Sequence, residues 1–354
     1  MAHGNYWDKP PMNMGSNDET EDDDIVDEKW KLPEGERTAV CSKTITYVLD
    51  GEVGLLADLA LMAQAAALAR ERNRTFFIDD TYWNRGKYGC LPTNYKALAR
   101  YHFGHPFSEY YEDPYSHNLN RLRPIFDAAQ ESFVSTIRPN AALGALIRSA
   151  RQELKEHIPL SPSTSQATYI SAHLRRGDRK HRTSDASYTA VSEYLSSIEN
   201  TQERLGKSLS DAPVYFASDS PSAEFEFGEA YPGRYFSLRQ SRDVALRQLA
   251  SSQEYDQKKF NTLSLEERSR LTKGMIVDFA LLSGMWSWKG DPIPRAGVCT
   301  ISSNICKIMA VGLGWDRAFG RVNAMGDLDE TQNGWVELEE KGRVVPVWTA
   351  FELF

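Results

Sequence analysis

Thr168-Tyr169-Ile170-Ser171-Ala172-His173-Leu174-Arg175-Arg176-Gly177-Asp178-Arg179-Lys180 begins as a short apolar, β-leaning run and ends in a burst of charge. A run of this kind suits a buried parallel strand that carries polar side chains to the carboxyl edge of its sheet. In open α/β sheets, ligands lie in the crevice beyond that edge. Arg175 and Arg176, a tight Gly177 and the carboxylate of Asp178 suit a phosphate ester, because a guanidinium fork matches phosphate oxygens. A solvated basic loop is the plainer alternative. Arg176-Gly177-Asp178 also spells an adhesion tripeptide, but an apolar strand running straight into it argues against display on an exposed loop.

Outward from that strand, the chain keeps a strand–helix rhythm. After it, a helix is expected over 188–205, a strand over 214–217 closed by the turn Ser218-Asp219-Ser220-Pro221, a short helix, and a strand over 234–238. Ser264 and Glu267 form a capping-box pattern for a long helix whose inner stripe is Leu271, Met275, Asp278 and Leu282. A carboxylate on an apolar stripe is costly unless paired, so Asp278 calls for an ion pair or a ligand. A strand over 297–300 then meets Ile301-Ser302-Ser303-Asn304 and a helix over 305–312, where free amides and small hydroxyls offer a second phosphate cradle.

Before that strand, 43–49 alternates like a strand, 55–72 reads as a Leu/Ala-rich helix that Asn73 can end, and 75–79 as the next strand: a β-α-β unit. Residues 82–115 are aromatic and irregular, in the manner of a cleft-lining loop. A helix over 139–157 has Pro139 in its first turn. The Pro/Ser run over 159–165 marks a boundary. The organisation expected is therefore an acidic arm (1–35), a first strand–helix domain (36–160), a second one (161–325) and a tail (326–354).

The bulk numbers bound function. A chain of 354 residues holds two cores, and 41% hydrophobic with 25% charged residues is ordinary for a globular protein. A net charge of -8 argues against a nucleic-acid partner. No apolar run approaches the ~20 residues that span a bilayer. The amino terminus lacks an apolar signal core, which leaves a cytoplasmic protein or one whose anchor preceded this sequence. Cys41, Cys90, Cys299 and Cys306 fit no metal spacing and are expected as buried thiols, without a disulfide scaffold. The sequon Asn73-Arg74-Thr75 sits at a helix-to-strand junction and says little. Asp327-Leu328-Asp329 spells the Asp-x-Asp of metal-dependent glycosyltransferases, but an acidic loop accounts for it. His102, His105 and His117 lack ligand spacing. No metal site is expected.

In order, these pieces resemble the α1,6-/O-fucosyltransferase superfamily, nearest in pattern to α1,6-fucosyltransferases and rhizobial chitin-oligosaccharide enzymes. His173-Leu174-Arg175-Arg176-Gly177-Asp178-Arg179 is similar to that family's His-x-Arg-Arg-x-Asp-Lys signature. Tyr215 to Pro221 resembles its Ala-Thr-Asp-Asp-Pro turn. Val277-Asp278-Phe279 with Val298 to Cys306 resembles its third block, and 54–88 a looser first one.

The resemblance implies a GT-B-like α/β fold, two Rossmann-type domains facing one cleft, and an inverting transfer of fucose from GDP-fucose to a glycan acceptor. It implies no metal and no other cofactor, and a Golgi lumen if an anchor is missing. Arg175 would meet the diphosphate, with Arg176 and Arg179 adding charge; His173 and Asp278 would hold guanine; Ser302, Ser303 and Asn304 would cap the phosphates. Asp178, Asp219 and Thr300 complete the donor-contacting set. A carboxylate base is needed on the opposite face of the sugar. Asp185 lies nearest its place and Glu193 is the runner-up, although Asp185 also reads as a helix cap.

Departures are Leu55-Leu56-Ala57 where a Gln is usual, Ser220 for a second Asp, an insertion over 289–296, and a tail too short for an SH3-like domain. The alternative is a GDP-sugar- or glycan-binding protein of the same fold that has lost catalysis.

Overall fold

The computed structural model describes residues 43–49, 55–79, 119–158, 167–178, 188–206, 212–321, 329 and 331–339. In chain order its main elements are β1 (Thr44–Val48), α1 (Leu55–Glu71), β2 (Thr75–Asp79), α2 (Leu119–Thr136), α3 (Ala141–His157), β3 (Thr168–Leu174), α4 (Val191–Leu205), β4 (Val214–Ser218), α5 (Pro221–Ala230) and β5 (Tyr235–Phe236). They continue with α6 (Val244–Arg247), α7 (Gln257–Thr262), α8 (Leu265–Ser283), β6 (Ile293–Cys299), α9 (Asn304–Leu313), α10 (Trp315–Ala318) and β7 (Trp335–Glu337).

Five strands form one sheet in the order β5-β4-β3-β6-β7, and every neighbouring pair is parallel. The chain builds outward from β3 to β5, then returns to the other side of β3. The strand order therefore reverses between β3 and β6, where an open α/β sheet leaves its ligand crevice. Helices cover both faces. Ile170, Ala172, Leu174, Val214 and Phe216 pack with Val191, Tyr194 and Ile198 of α4 and with Ala223 and Phe227 of α5. On the opposite face, Tyr169 donates to the Leu281 carbonyl (2.5 Å) and Ser171 to that of Leu282 (2.7 Å), both on α8. Alternation along β3 puts His173 on this α8 side too. The architecture is α/β with a five-stranded parallel sheet, compatible with the Rossmann-like class expected.

β1 and β2 form a separate two-stranded sheet. Between them α1 is buried on almost every side, which an Ala/Leu helix without a polar face requires. α2 ties it down: Ser132 donates to the Ala63 carbonyl (2.6 Å) and Gln130 to that of Val311 on α9 (2.6 Å). One buried cluster runs from Leu55 through Ile147 to Phe279 and Met309. The described residues from Ile45 onward form one compact unit. The boundary expected at 160 falls outside the described residues.

A buried arginine fastens α3 to α8. The Arg151 guanidinium donates to the carbonyl of Ala280 (2.9 Å) in the last turn of α8 and to those of Met285 (2.5 Å) and Trp286 (2.7 Å) just beyond its end. Gly284 makes that ending possible at φ 77°, in the left-handed region.

Several expectations are corrected. Cys299 and Cys306 are not thiols: they form a disulfide with Cα atoms 5.4 Å apart, because a strand, a tight turn and the first turn of α9 bring positions seven apart together. Residues 293–296 belong to β6 rather than to an insertion. Tyr169 faces Pro294 and Ile170 faces Ala296, so Arg295 is the extra residue of a bulge, at a place where proline has no N–H to pair. Pro139 lies outside α3, which Asn140 caps by accepting from Leu143 (2.9 Å). α4 begins at Val191, not Tyr188. β5 is only two residues, followed by a 3₁₀ turn over Leu238–Gln240. Ser264 caps α8, but the Glu267 carboxylate goes to Arg270 instead of closing the box. Neither α2 nor β7 follows from the local pattern: Pro124 in the second turn of α2 ordinarily breaks a helix, and β7 lies within the stretch expected as a tail.

Candidate functional site

The carboxyl ends of β3 and β4 meet in a loop clamp built on Asp219. Directly after β4, its carboxylate accepts the backbone N–H of Arg176 (2.8 Å) and Gly177 (3.1 Å) and pairs with the Arg175 guanidinium. Asp178 takes the other edge of Arg175 at 2.6 Å, and the Tyr255 ring lies under that guanidinium at 5.2 Å. Ser218 donates to the Leu174 carbonyl (2.8 Å), tying the two strand ends together. Gly177 is obligatory here: a Cβ would collide with the Asp219 carboxylate and stand 2.8 Å from the Tyr255 carbonyl oxygen. Burial raises the Asp219 carboxyl above its ordinary value, against the pull of Arg175 and the two amides.

The two arginines differ in role. Arg176 is buried, donates to Glu226 (2.6 Å) and stacks on Tyr188 at 4.4 Å. Arg175 stays partly open at the crevice, with its side chain 22% exposed.

Asp278 and His173 share the α8 side of the sheet. Asp278 accepts the Tyr215 hydroxyl at 2.6 Å. Burial pushes the Asp278 carboxyl up to about 7, with the Tyr215 bond pulling it down and Glu224 adding a further upward push. The Tyr215 phenol rises well above its usual value, first through burial and then through Asp278. A carboxyl balanced near neutrality can change charge when a ligand arrives.

Across the reversal, β6 ends in the turn Thr300–Ser303. Thr300 is buried; Tyr194 donates to its hydroxyl (3.4 Å), and its carbonyl accepts the Ser303 amide (2.9 Å). The Cys299–Cys306 bridge staples the turn from behind. Its leading amides are already engaged: Ile301 N–H donates to Glu337 (2.7 Å), and the N–H (2.8 Å) and hydroxyl of Ser302 to Glu339. Ser303 caps α9 without a side-chain cap bond, and Asn304 opens the helix half-buried.

Thus His173, Arg175, Arg176, Asp178, Asp219 and Asp278 gather along β3, β4 and α8, with Thr300, Ser302, Ser303 and Asn304 across the reversal. Glu193 is exposed in the first turn of α4 and lines a groove of ≈ 490 Å³ with Ser196, Asn200 and Leu338. Arg179 and Asp185 lie outside the described residues, as do Cys41, Cys90, His102, His105, His117 and Asp327. Asp329 accepts from the Thr331 amide (3.1 Å). Among the described residues, no group of three or more His, Cys, Asp or Glu is arranged for a metal, and no helix is long and apolar enough to cross a membrane.

Sequence reasoning missed Glu226, Tyr188 and Tyr255 as partners of the arginines, and Tyr215 as the partner of Asp278. It also missed Glu337 and Glu339, although the alternation Trp335-Val336-Glu337-Leu338-Glu339 is an edge-strand signal. No protein-family model matches the chain, and neither does any curated protein.

Proposed function

We propose that the chain is an inverting glycosyltransferase that moves fucose from GDP-fucose to a hydroxyl of a glycan or glycosylated acceptor. The observation that carries this reading is an arginine turn after β3 and a hydroxyl-bearing turn after β6 on either side of the strand-order reversal, with the near-neutral carboxyl of Asp278 on α8 bonded to Tyr215 of the neighbouring β4. The motif resemblance to the α1,6-/O-fucosyltransferases supplies the sugar and the base. In this reading the five-stranded sheet is the donor half of a GT-B-like pair, and β1–α1–β2 with α2 and α3 belongs to the acceptor half.

The acceptor oxygen attacks the anomeric carbon as that carbon's bond to the β-phosphate oxygen breaks, and the acceptor proton passes to a carboxylate. Charge develops on the departing β-phosphate, where the Arg175 guanidinium stabilises it. Asp219 and Asp178 hold that guanidinium in place beforehand. Asp278, ionised, accepts from the guanine N1–H and amino group, and His173 flanks the base. Asp185 takes the acceptor proton, with Glu193 as the alternative. Calorimetry with GDP, UDP and ADP tests the donor: equal affinity for UDP ends the assignment. Transfer from GDP-fucose across a glycan panel tests the reaction, and activity should survive EDTA.

A second reading has its own support. Arg175 pairs with Asp178 and Asp219, Arg176 with Glu226, and Ser302 with Glu339. A crevice whose anion-binding groups are engaged internally also suits a GDP-sugar- or glycan-binding protein without turnover. Tight GDP binding with no transfer to any acceptor would select it.

A further inference from the structure

The crevice lies beyond the carboxyl ends of the strands; near their amino ends the sheet carries a cation with nothing to balance it. Arg295 is the extra residue of the β6 bulge, and bulges re-aim a side chain. It is half-buried, and its Nη1 is closed off from solvent. Among the described residues, no acceptor takes a hydrogen bond from its guanidinium and no carboxylate pairs with it. Gly334, just before β7, forms one wall: a Cβ there would stand 3.4 Å from Nη1. Burial alone acts on the Arg295 pKa and lowers it. A second guanidinium lies close enough to be felt. Arg317, on α10, donates from Nε to the Leu313 carbonyl (2.7 Å) and from its other nitrogens to those of Pro294 (3.3 Å) and Gly312 (3.4 Å). Its donors are therefore spent on carbonyls, which leave its charge in place. Burial lowers the Arg317 pKa, Tyr169 pulls it up, and Arg295 lowers it again. The acid ahead of β6, Asp291, goes to Arg151 (3.5 Å). A charge withdrawn from water without a counter-charge costs free energy, and a like charge beside it costs more.

We propose that Arg295, backed by the charge of Arg317, binds a phosphate-class oxyanion near the amino edge of the sheet, at the opposite end from the crevice. Arg295 supplies the hydrogen bonds, because a guanidinium fork matches two oxygens of a tetrahedral oxyanion. Arg317 adds charge alone. Two neighbouring cations favour a doubly charged ligand over a singly charged one. The site is independent of what the crevice binds.

The test is urea denaturation of the full chain, as wild type, Arg295→Met and Arg295→Lys, in chloride and in rising inorganic phosphate at fixed ionic strength. Sulfate and acetate serve as doubly and singly charged controls. Once phosphate exceeds its Kd, each tenfold rise should multiply the wild-type folding constant about tenfold, as for any ligand of the native state alone. Sulfate should act likewise and acetate much less. Arg295→Met should respond far less to phosphate, and in chloride it should be more stable than wild type, because methionine keeps the packing and removes the unbalanced charge. Arg295→Lys keeps the charge but loses the fork, so its phosphate response should be shallower than that of wild type. GDP affinity, read by calorimetry, should be the same in wild type and Arg295→Met. An equal phosphate response in wild type and Arg295→Met overturns the proposal, as does an Arg295→Met protein less stable than wild type in chloride. A GDP affinity that falls together with the phosphate response places the effect in the crevice and overturns it too. Should Arg295→Met fail to fold, Arg295→Lys decides: an undiminished phosphate response in that variant sinks the site.

Discussion

Asp278→Asn should flatten the pH dependence of stability between about pH 4 and pH 7. The carboxyl is raised from 3.8 to about 7 by burial beside Tyr215. Between those values the unfolded chain ionises at this residue while the native protein keeps the proton. The native state then binds more protons, so stability falls as pH rises through this window and levels off above it. A gap of about three pH units, at about 1.4 kcal/mol each, makes the loss on the order of 4 kcal/mol. Asparagine carries no charge to desolvate, and its amide oxygen can still accept the Tyr215 hydroxyl. Some strength of that bond is lost, about 1 kcal/mol. The variant should therefore be about 2–3 kcal/mol more stable than wild type at pH 8 and no more stable at pH 4. Urea denaturation of both proteins at pH 4, 6 and 8 reads this directly, because every other titrating group is common to the two curves. A variant that keeps the wild-type slope, or is the less stable protein at pH 8, refutes the argument from burial. The ligand effect has the opposite sign. If Asp278 meets guanine, the same change costs about 1–3 kcal/mol of GDP affinity. Wild type should then release a proton on binding GDP below pH 7, as seen in calorimetry across buffers of different ionisation enthalpy, and the variant should not.

Three further outcomes are expected. Reducing Cys299–Cys306, or replacing both cysteines by Ser, should lower stability by about 2–3 kcal/mol, a short-loop value, with equal denaturation midpoints for the reduced and doubly substituted proteins. Asp219→Ala removes the acceptor for two amides and one edge of Arg175, and should cost about 2–3 kcal/mol of stability along with most GDP affinity; a variant that binds GDP as wild type does would show that the loop needs no clamp. Asp185→Asn should lower turnover by roughly 10²–10⁴ at saturating donor with the melting temperature nearly unchanged, whereas a mere cap would cost about 0.5–2 kcal/mol of stability and leave turnover intact. Glu193→Gln, assayed beside it, shows which carboxylate carries the proton.

Local pattern was enough to read most of this fold. The apolar run of β3, the periodicity of α1, α3 and α8, and the serine caps are short-range signals, and their elements stand within a few residues of where pattern puts them. Arg175, Arg176, Asp219 and Asp278 stood out for the same reason: a charge at a strand end, or on an apolar stripe, is anomalous within its own few neighbours. The partners were not legible, because they depend on contacts distant in sequence. Asp219 meets the amide of Arg176 43 positions away, Tyr215 meets Asp278 63 positions away, and Glu339 reaches Ser302 across 37. Strand order is likewise tertiary. No pattern within Trp335–Glu337 says that it pairs with β6 and carries Glu337 and Glu339 to the crevice turn. The disulfide shows the same division. Composition and spacing favoured two buried thiols, whereas the strand–turn–helix path between Cys299 and Cys306 brings their Cα atoms to 5.4 Å. A sequence carries its charges in plain view, but whether a guanidinium or an amide is open to a ligand depends on which carboxylate the fold brings against it.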